Sequence, residues 1–263
     1  MSTTNILRRI IETKRKEIAA SKGVVSPERL AEMADAVARQ TVSMSRSLSD
    51  KSPAIIAEFK RRSPSKGEIH PMTMADDIVA GYESAGAAAC SILTDTQFFG
   101  GSLTDLCVAR NAVSLPLLRK DFIIDEYQID QARLCGADAI LLIASALTRD
   151  EISRLVDYAH RRQLEVLLEL HSPDELAKYV AEADMVGVNN RNLSTFATDI
   201  DASLSIASSL PANAVKVAES GIKTGVDIRR LSNEGYSAFL IGETLMKSDS
   251  PALALKTLIN DTH

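Results

Sequence analysis

The feature that most restricts this chain is an alternation. Short apolar runs recur in the first half of 54–66 and then at 88–93, 115–119, 139–143, 165–170, 185–188, 215–218 and 238–241, with longer amphipathic stretches between them. Runs of this length, spaced by helical patterns, read as buried parallel strands joined by crossover helices. Eight such units in roughly 210 residues predict an α/β fold, a closed (β/α)8 TIM barrel. A doubly wound open sheet also fits the alternation, but the Gly-x-Gly-x-x-Gly fingerprint of its dinucleotide-binding form is missing after the first strand. Two helix starts are marked, by Thr148 for a helix to Arg162 and by Ser172-Pro173 for a helix to Ala183. Residues 1–263 read as one domain, with 1–50 as a helical extension and linker. In that extension Ile6, Ile10, Ile11 and Ile18 form a narrow apolar stripe on a charged helix over 5–20. A second helix begins at Pro27 behind Ser26 and runs to about Arg39, while the serine-rich 41–52 reads as a linker. The stripe needs a surface, and docking near the barrel mouth is expected.

Charge and cysteine usage narrow the partners. A formal net charge of −5 argues against nucleic acid or an anionic membrane and leaves a small anion as the expected ligand. The longest apolar run, 139–147, is far short of the ~20 residues of a membrane span. The N-terminus also lacks the apolar core of a signal peptide, so a cytoplasmic location is expected. Cys90, Cys107 and Cys135 are odd in number and show no C-x-x-C spacing, so they read as reduced packing residues. His70, His160 and His263 have no partner at ligand spacing, and neither a metal nor a cofactor is expected. His171 is close to Glu169 in sequence but is expected to face away from it, in a capping or surface role. A monomer is expected, with an oligomer left open.

In such a barrel the working groups sit at the carboxyl ends of the strands, and polar residues cluster there. The first strand ends in Glu58 and Lys60, which share a face with Ile56, while Ile55, Ala57 and Phe59 take the other. On that strand alone a structural ion pair explains the charges equally well. Later ends carry Lys120, Glu169, Asn189-Asn190-Arg191, Glu219-Ser220-Gly221 and Gly242-Glu243. Convergence of so many ionisable groups on one mouth would desolvate them together without a role, which favours a site. Ser220-Gly221 and Gly242 lie where barrels bind phosphate on backbone amides; glycines for tight turns are the alternative at each. Glu243 has to point away for phosphate to sit there. Phe99, Phe122, Leu93, Leu141, Leu193 and Leu240 are candidates for an apolar wall, although core packing explains the leucines as well.

Residues 55–65, Ile-Ile-Ala-Glu-Phe-Lys-Arg-Arg-Ser-Pro-Ser, closely resemble the signature of indole-3-glycerol-phosphate synthase. Residues 118–128, 167–171, 186–193, 218–222 and 240–246 resemble later motifs of the family, in order and at strand ends. The resemblance implies ring closure of 1-(2-carboxyphenylamino)-1-deoxyribulose 5-phosphate, with loss of carbon dioxide and water, to indole-3-glycerol phosphate in tryptophan biosynthesis. It implies Lys120 as general acid, with a pKa expected to be lowered by burial and by nearby Lys60. By the same resemblance Glu169 is the base, Lys60 holds the anthranilate carboxylate, and Glu58 and Asn189 orient the lysines and sugar hydroxyls. The phosphate is expected on Ser220, Gly221, Gly242 and the amide of Glu243, with Arg62 as counter-charge. Ser63, Phe99, Phe122, Arg191 and Glu219 complete the expected substrate pocket. Family members often carry serine where Glu243 stands, which puts a side-chain contact there in doubt. Two competitors are an aldose–ketose isomerase of phosphorylated aminosugars and a non-catalytic phosphosugar-binding barrel. No cysteine ends a strand, which argues against the first; Lys120 and Glu169 are both present, which argues against the second.

Overall fold

A computed structural model describes residues 4–64, 67–192 and 197–262. Leu193 and His263, named above, lie outside the described residues, as do Ser65 and Lys66 of the 54–66 stretch. Eight parallel strands form a closed barrel: β1 (Ala54–Phe59), β2 (Ala89–Leu93), β3 (Leu117–Lys120), β4 (Ala139–Ile143), β5 (Glu165–Leu170), β6 (Met185–Asn189), β7 (Val215–Glu219) and β8 (Ala238–Ile241). Each strand pairs with its sequence neighbours, and β8 closes on β1 with Ala54 opposite Ala238. Alternate residues of β1 separate as the strand period requires. Ala54 and Ile56 join the barrel interior with Leu118, Leu141, Leu167, Met185 and Leu240, whereas Ile55, Ala57 and Phe59 pack outward under the helices.

Before the barrel come α1 (Thr4–Val24), α2 (Pro27–Asp35) and α3 (Met44–Ser49). Ser26 caps α2 through the amide of Arg29, with Pro27 in the first turn, but α2 stops at Asp35, short of the expected Arg39. Beyond it Arg39 leaves the helix to bind the Asp138 carboxylate at 2.8 Å and the Ala137 carbonyl at 2.7 Å. The stretch expected as a linker is not one. Ser43 caps α3, and Ser43 and Ser45 bind the Glu165 carboxylate at the start of β5. This turns Met44 and Leu48, both fully buried, into a plug in the amino end of the barrel. Thr148 and Glu151 form a capping box for the helix Arg149–Arg161, as its spacing predicts. The helix expected over 173–183 is only a 3-10 turn, Pro173–Lys178, without a side-chain cap from Ser172. Its Glu175 and Lys178 are drawn instead to the amide of His171 and to the carbonyls of Ala144 and Leu147. Among the described residues no helix is long and apolar enough to cross a membrane.

Candidate active site

Strand register sets the polar layer. Glu58 on β1 is level with Ser91 on β2, Leu93 with Lys120 on β3, Ile143 with Glu169 on β5, and Asn189 on β6 with Glu219 on β7. All of these side chains approach the barrel axis at its carboxyl end, where Lys120 stands at the centre. Its Nζ donates to Glu169 Oε2 at 2.9 Å and lies 3.2 Å from Glu219 Oε2. Asn189 Nδ2 donates to the same Glu169 oxygen at 3.1 Å, while its Oδ1 accepts from the Arg191 amide. Lys60 Nζ donates to Glu58 Oε1 at 2.6 Å. Gly187 and Gly242 make room for this layer. A Cβ on Gly187 would lie 2.2 Å from Glu219 Oε1, and one on Gly242 would lie 2.2 Å from Glu58 Oε1.

Electrostatics correct the expectation for Lys120. Burial alone pushes its ammonium down, but the carboxylates of Glu169, Glu219 and Glu58 outweigh burial and hold it above its ordinary range. Lys60, expected to lower it, is paired instead with Glu58 Oε1 at 2.6 Å. The two carboxyls beside Lys120 separate. Burial raises both, yet Glu169 has the Lys120 ammonium beside it and is held down to about 2. Glu219 feels burial and the charge of Glu169 more than the attraction of Lys120, and is pushed up to about 8. Neither of its oxygens has a well-aligned hydrogen bond, so a proton there relieves a buried charge. Glu219 lies beneath Lys120, almost wholly buried, and does not line the cavity where it was expected to meet substrate.

Above the layer is a cleft of about 920 Å³, its open mouth included. Phe99 and Phe122 form an aromatic pair on its wall, with ring centroids 6.1 Å apart and planes tilted by 38°, and Leu93, Leu141, Ser63 and Pro64 complete much of the rest. The remaining wall comes from α1, whose Ile6, Leu7 and Ile10 reach the cleft. Lys14 of α1 is buried, with its Nζ 3.0 Å from Asp95 and 3.0 Å from Asp121. Burial opposes that ammonium, but the two aspartates overcome it and raise its pKa. Asp121 is itself held down to about 2 against burial, by Arg119 and Lys14. It directly follows Lys120 and precedes Phe122, while Asp95 caps the turn that carries Phe99. One buried lysine therefore ties α1 to both aromatic walls and to the strand end that bears Lys120. A lone lysine beside Arg15 and Lys16 carries no signal in the sequence that marks it for burial.

His171 corrects another expectation. Its ring lines the cleft, with Nε2 3.4 Å from Glu169 Oε1, rather than facing away. Residues two apart on a strand share a face, and His171 keeps to the face of Glu169 although β5 ends at Leu170; the expectation had a turn there rotate the ring away.

At the ends of β7 and β8 a smaller cavity opens from the same mouth, lined by Lys60, Lys120, Arg191, Ser220, Gly221, Gly242 and Glu243. Ser220 and Gly221 have φ of 66° and 77°, consecutive left-handed residues that turn successive amides to one side of the chain. Leu240 lines this cavity from below. Glu243 points its carboxylate at Arg191 Nη2, 2.9 Å away, and at Lys247 Nζ, 2.7 Å away. Against partial burial these cations hold it down to about 2. Arg62 does not reach this end. The chain reverses in a two-stranded ribbon, 62–63 against 67–68, and the Arg62 guanidinium binds the Thr96 and Gln97 carbonyls instead. Among the described residues no group of three His, Cys, Asp or Glu side chains is disposed to hold a metal ion.

Residues 7–258 match the family model described as indole-3-glycerol phosphate synthase. Curated relatives of that description include one from Bacteroides thetaiotaomicron, 49% identical over 97% of this chain and 98% of the relative. Another, from Koribacter versatilis, is 47% identical over 98% of this chain and the whole of the relative. A third, from Neisseria meningitidis serogroup B, is 47% identical over 94% of this chain and 96% of its own. Among solved structures, a 3-hexulose-6-phosphate synthase aligns with a TM-score of 0.60 at 16% identity, over 79% of this chain and 99% of its own, a likeness of fold alone.

Proposed function

Because the chain belongs to the indole-3-glycerol phosphate synthase family, a carboxy-lyase family of tryptophan biosynthesis, we propose how its cleft carries ring closure, decarboxylation and dehydration. The observation that carries the reading is Lys120, an ammonium bracketed by two carboxyls under an aromatic-walled cleft. The anthranilate ring lies against the wall formed by Phe99 and Phe122, with its carboxylate toward Lys60. As the ring carbon attacks the ketone, Lys120 donates a proton to the oxygen that gains charge. The C–C bond to the carboxylate then breaks, carbon dioxide leaves without that electron pair, and the pair stays behind to restore the aromatic ring. Dehydration follows. Loss of a carboxylate as carbon dioxide consumes one proton, so Lys120 regains its own from solvent. It then protonates the departing hydroxyl while Glu169 takes a proton from the adjacent CH2, so that the C=C bond of the indole forms.

Glu219 keeps Lys120 aimed upward and Asn189 aligns Glu169; Glu58 does the same for Lys60. Ser63 and Arg191 contact the sugar end. The phosphate rests in the smaller cavity on Ser220, Gly221, Gly242 and the amide of Glu243, where the left-handed pair supplies amides. Arg191 is the counter-charge there, in the place expected of Arg62. We further read the working unit as a single-domain monomer, since this chain itself supplies the acid, the base and the phosphate-binding amides that the chemistry needs, and its location as the cytoplasm, consistent with three free cysteines. The test is to mix the purified protein with the carboxyphenylamino-deoxyribulose phosphate and follow indole fluorescence, which the chain's lack of tryptophan leaves unmasked. Steady growth of the signal supports the reading, and none at saturating substrate overturns it.

A further inference from the structure

We propose that His171 is a proton-relay residue that acts through Glu169, taking over the proton that Glu169 removes from the substrate. The proposal rests on the reading of Glu169 as the base. His171 Nδ1 lies 3.3 Å from Ser145 Oγ, and the same Oγ lies 2.5 Å from Glu175 Oε1. A carboxylate only accepts, so the single hydroxyl proton of Ser145 is committed to Glu175. Ser145 Oγ must then accept from Nδ1–H. This sets the tautomer: the neutral ring carries its proton on Nδ1, and the Nε2 lone pair points at Glu169 Oε1, 3.4 Å away. Nε2 is buried and makes no hydrogen bond. Two acceptors face each other across a buried gap, and that arrangement is one proton short. The other oxygen of Glu169 is occupied by Lys120 and Asn189, which leaves Oε1 to pass a proton on.

Dehydration supplies that proton. The C–H bond of the CH2 breaks, its electrons become the new C=C bond, and the hydroxyl leaves as water with a proton from Lys120. The abstracted proton passes through Glu169 to Nε2, which leaves an imidazolium beside a carboxylate. It returns through Glu169 to the neutral Lys120 amine 2.9 Å away, and the three groups are reset with no outside reagent. Glu169 alone is poorly suited to keep a proton, because Lys120 holds its carboxyl near 2 against the effect of burial. The other charged groups around the ring are Glu175, 4.0 Å from Nδ1, and Lys178, which is fastened to the carbonyls of Ala144 and Leu147.

The test uses His171→Ala and His171→Gln, with melting temperature measured first and single-turnover indole formation second. Glutamine keeps a donor toward Glu169 but cannot carry the proton, so both variants should lose about 10–100-fold in kcat, with KM within about twofold. Free imidazole should restore the alanine variant, and among substituted imidazoles the restored rate should rise with the basicity of the ring. Glutamine fills the site, so that variant should not be rescued. A structural role alone would give no dependence on basicity. Either an alanine variant with kcat within about twofold of wild type, or a loss that no imidazole restores, overturns the relay. If the alanine variant does not fold, the glutamine variant decides by its kcat. Failure of the wild-type chain to form indole would instead bring down the reading of Glu169 beneath it.

Discussion

Lys14→Met removes the charge that joins α1 to the barrel mouth and keeps most of the side chain's bulk. Breaking a buried ion pair from one side costs about 3–5 kcal/mol, because the partner's charge stays behind. Here the stranded groups keep some company. Asp121 retains Thr94 at 2.6 Å and Arg119 at 3.0 Å, and Asp95 retains the amides of Phe98 and Phe99. The lower end, about 3 kcal/mol, is therefore expected. Its effect falls on the docking of α1 more than on the barrel, whose interior does not include Lys14. Trypsin reads this directly, since Arg8, Arg9, Arg15 and Lys16 are exposed cleavage sites protected by a helical backbone that unfolds more readily once α1 lifts. Cleavage should accelerate by about two orders of magnitude if opening precedes cutting. KM should rise about tenfold, because Ile6, Leu7 and Ile10 withdraw roughly 1.4 kcal/mol of apolar contact from the cleft. Lys14→Arg keeps the charge and should recover part of both losses. A methionine variant with wild-type trypsin resistance and wild-type KM would refute the argument that Lys14 holds the wall in place.

Gly242→Ala should lower both kcat and melting temperature, because its Cβ would meet Glu58 Oε1 at 2.2 Å and displace the partner of Lys60. An unchanged kcat would show that this glycine serves only the turn. Glu243→Gln keeps an acceptor for Arg191 but removes a like charge from the phosphate end, so KM should fall by about threefold to tenfold while kcat stays level. A higher KM would place Glu243 among the groups that hold the substrate. Glu219→Gln tests the raised carboxyl. A folded pKa of about 8, above the ordinary 4.5, means that native Glu219 adds no penalty below pH about 4.5 and an increasing one up to about 8. Chemical denaturation should therefore show wild type losing stability relative to this variant across that window and levelling off above it. A difference that does not change with pH would contradict the assignment of the proton.

The barrel was readable because parallel strands covered on both faces are short and apolar, and their ends are where polar residues appear. Glu58, Lys120, Glu169, Asn189 and Glu219 follow strand ends closely enough that knowing the strands is nearly knowing the layer. Arg62 was misjudged and Lys14 missed because each lies beyond the reach of a periodic pattern, whereas His171 was misjudged because a pattern that still held was set aside. The ribbon after β1 reverses Arg62, His171 stays on the face that the strand period shares with Glu169, and Lys14 is singled out from its basic neighbours only by carboxylates more than 80 residues away in sequence. Met44 and Leu48 did carry a signal. Two apolar residues four apart among serines are one face of a helix, which the polarity of the stretch obscured. The pKa of Lys120 was misjudged because its sign depends on how many carboxylates surround the ammonium in space, and sequence order does not give that count.

The central claim is that Lys120 gives a proton to the ketone and hydroxyl oxygens, and Lys120→Met tests it with the least disturbance of shape. Indole formation should be followed at saturating substrate, alongside binding of a reduced, unreactive substrate analogue. Loss of the acid predicts a fall in kcat of about 10²–10⁴-fold, with the analogue bound nearly as before. A variant that keeps close to the wild-type kcat would contradict the assignment and move the acid role to Lys60.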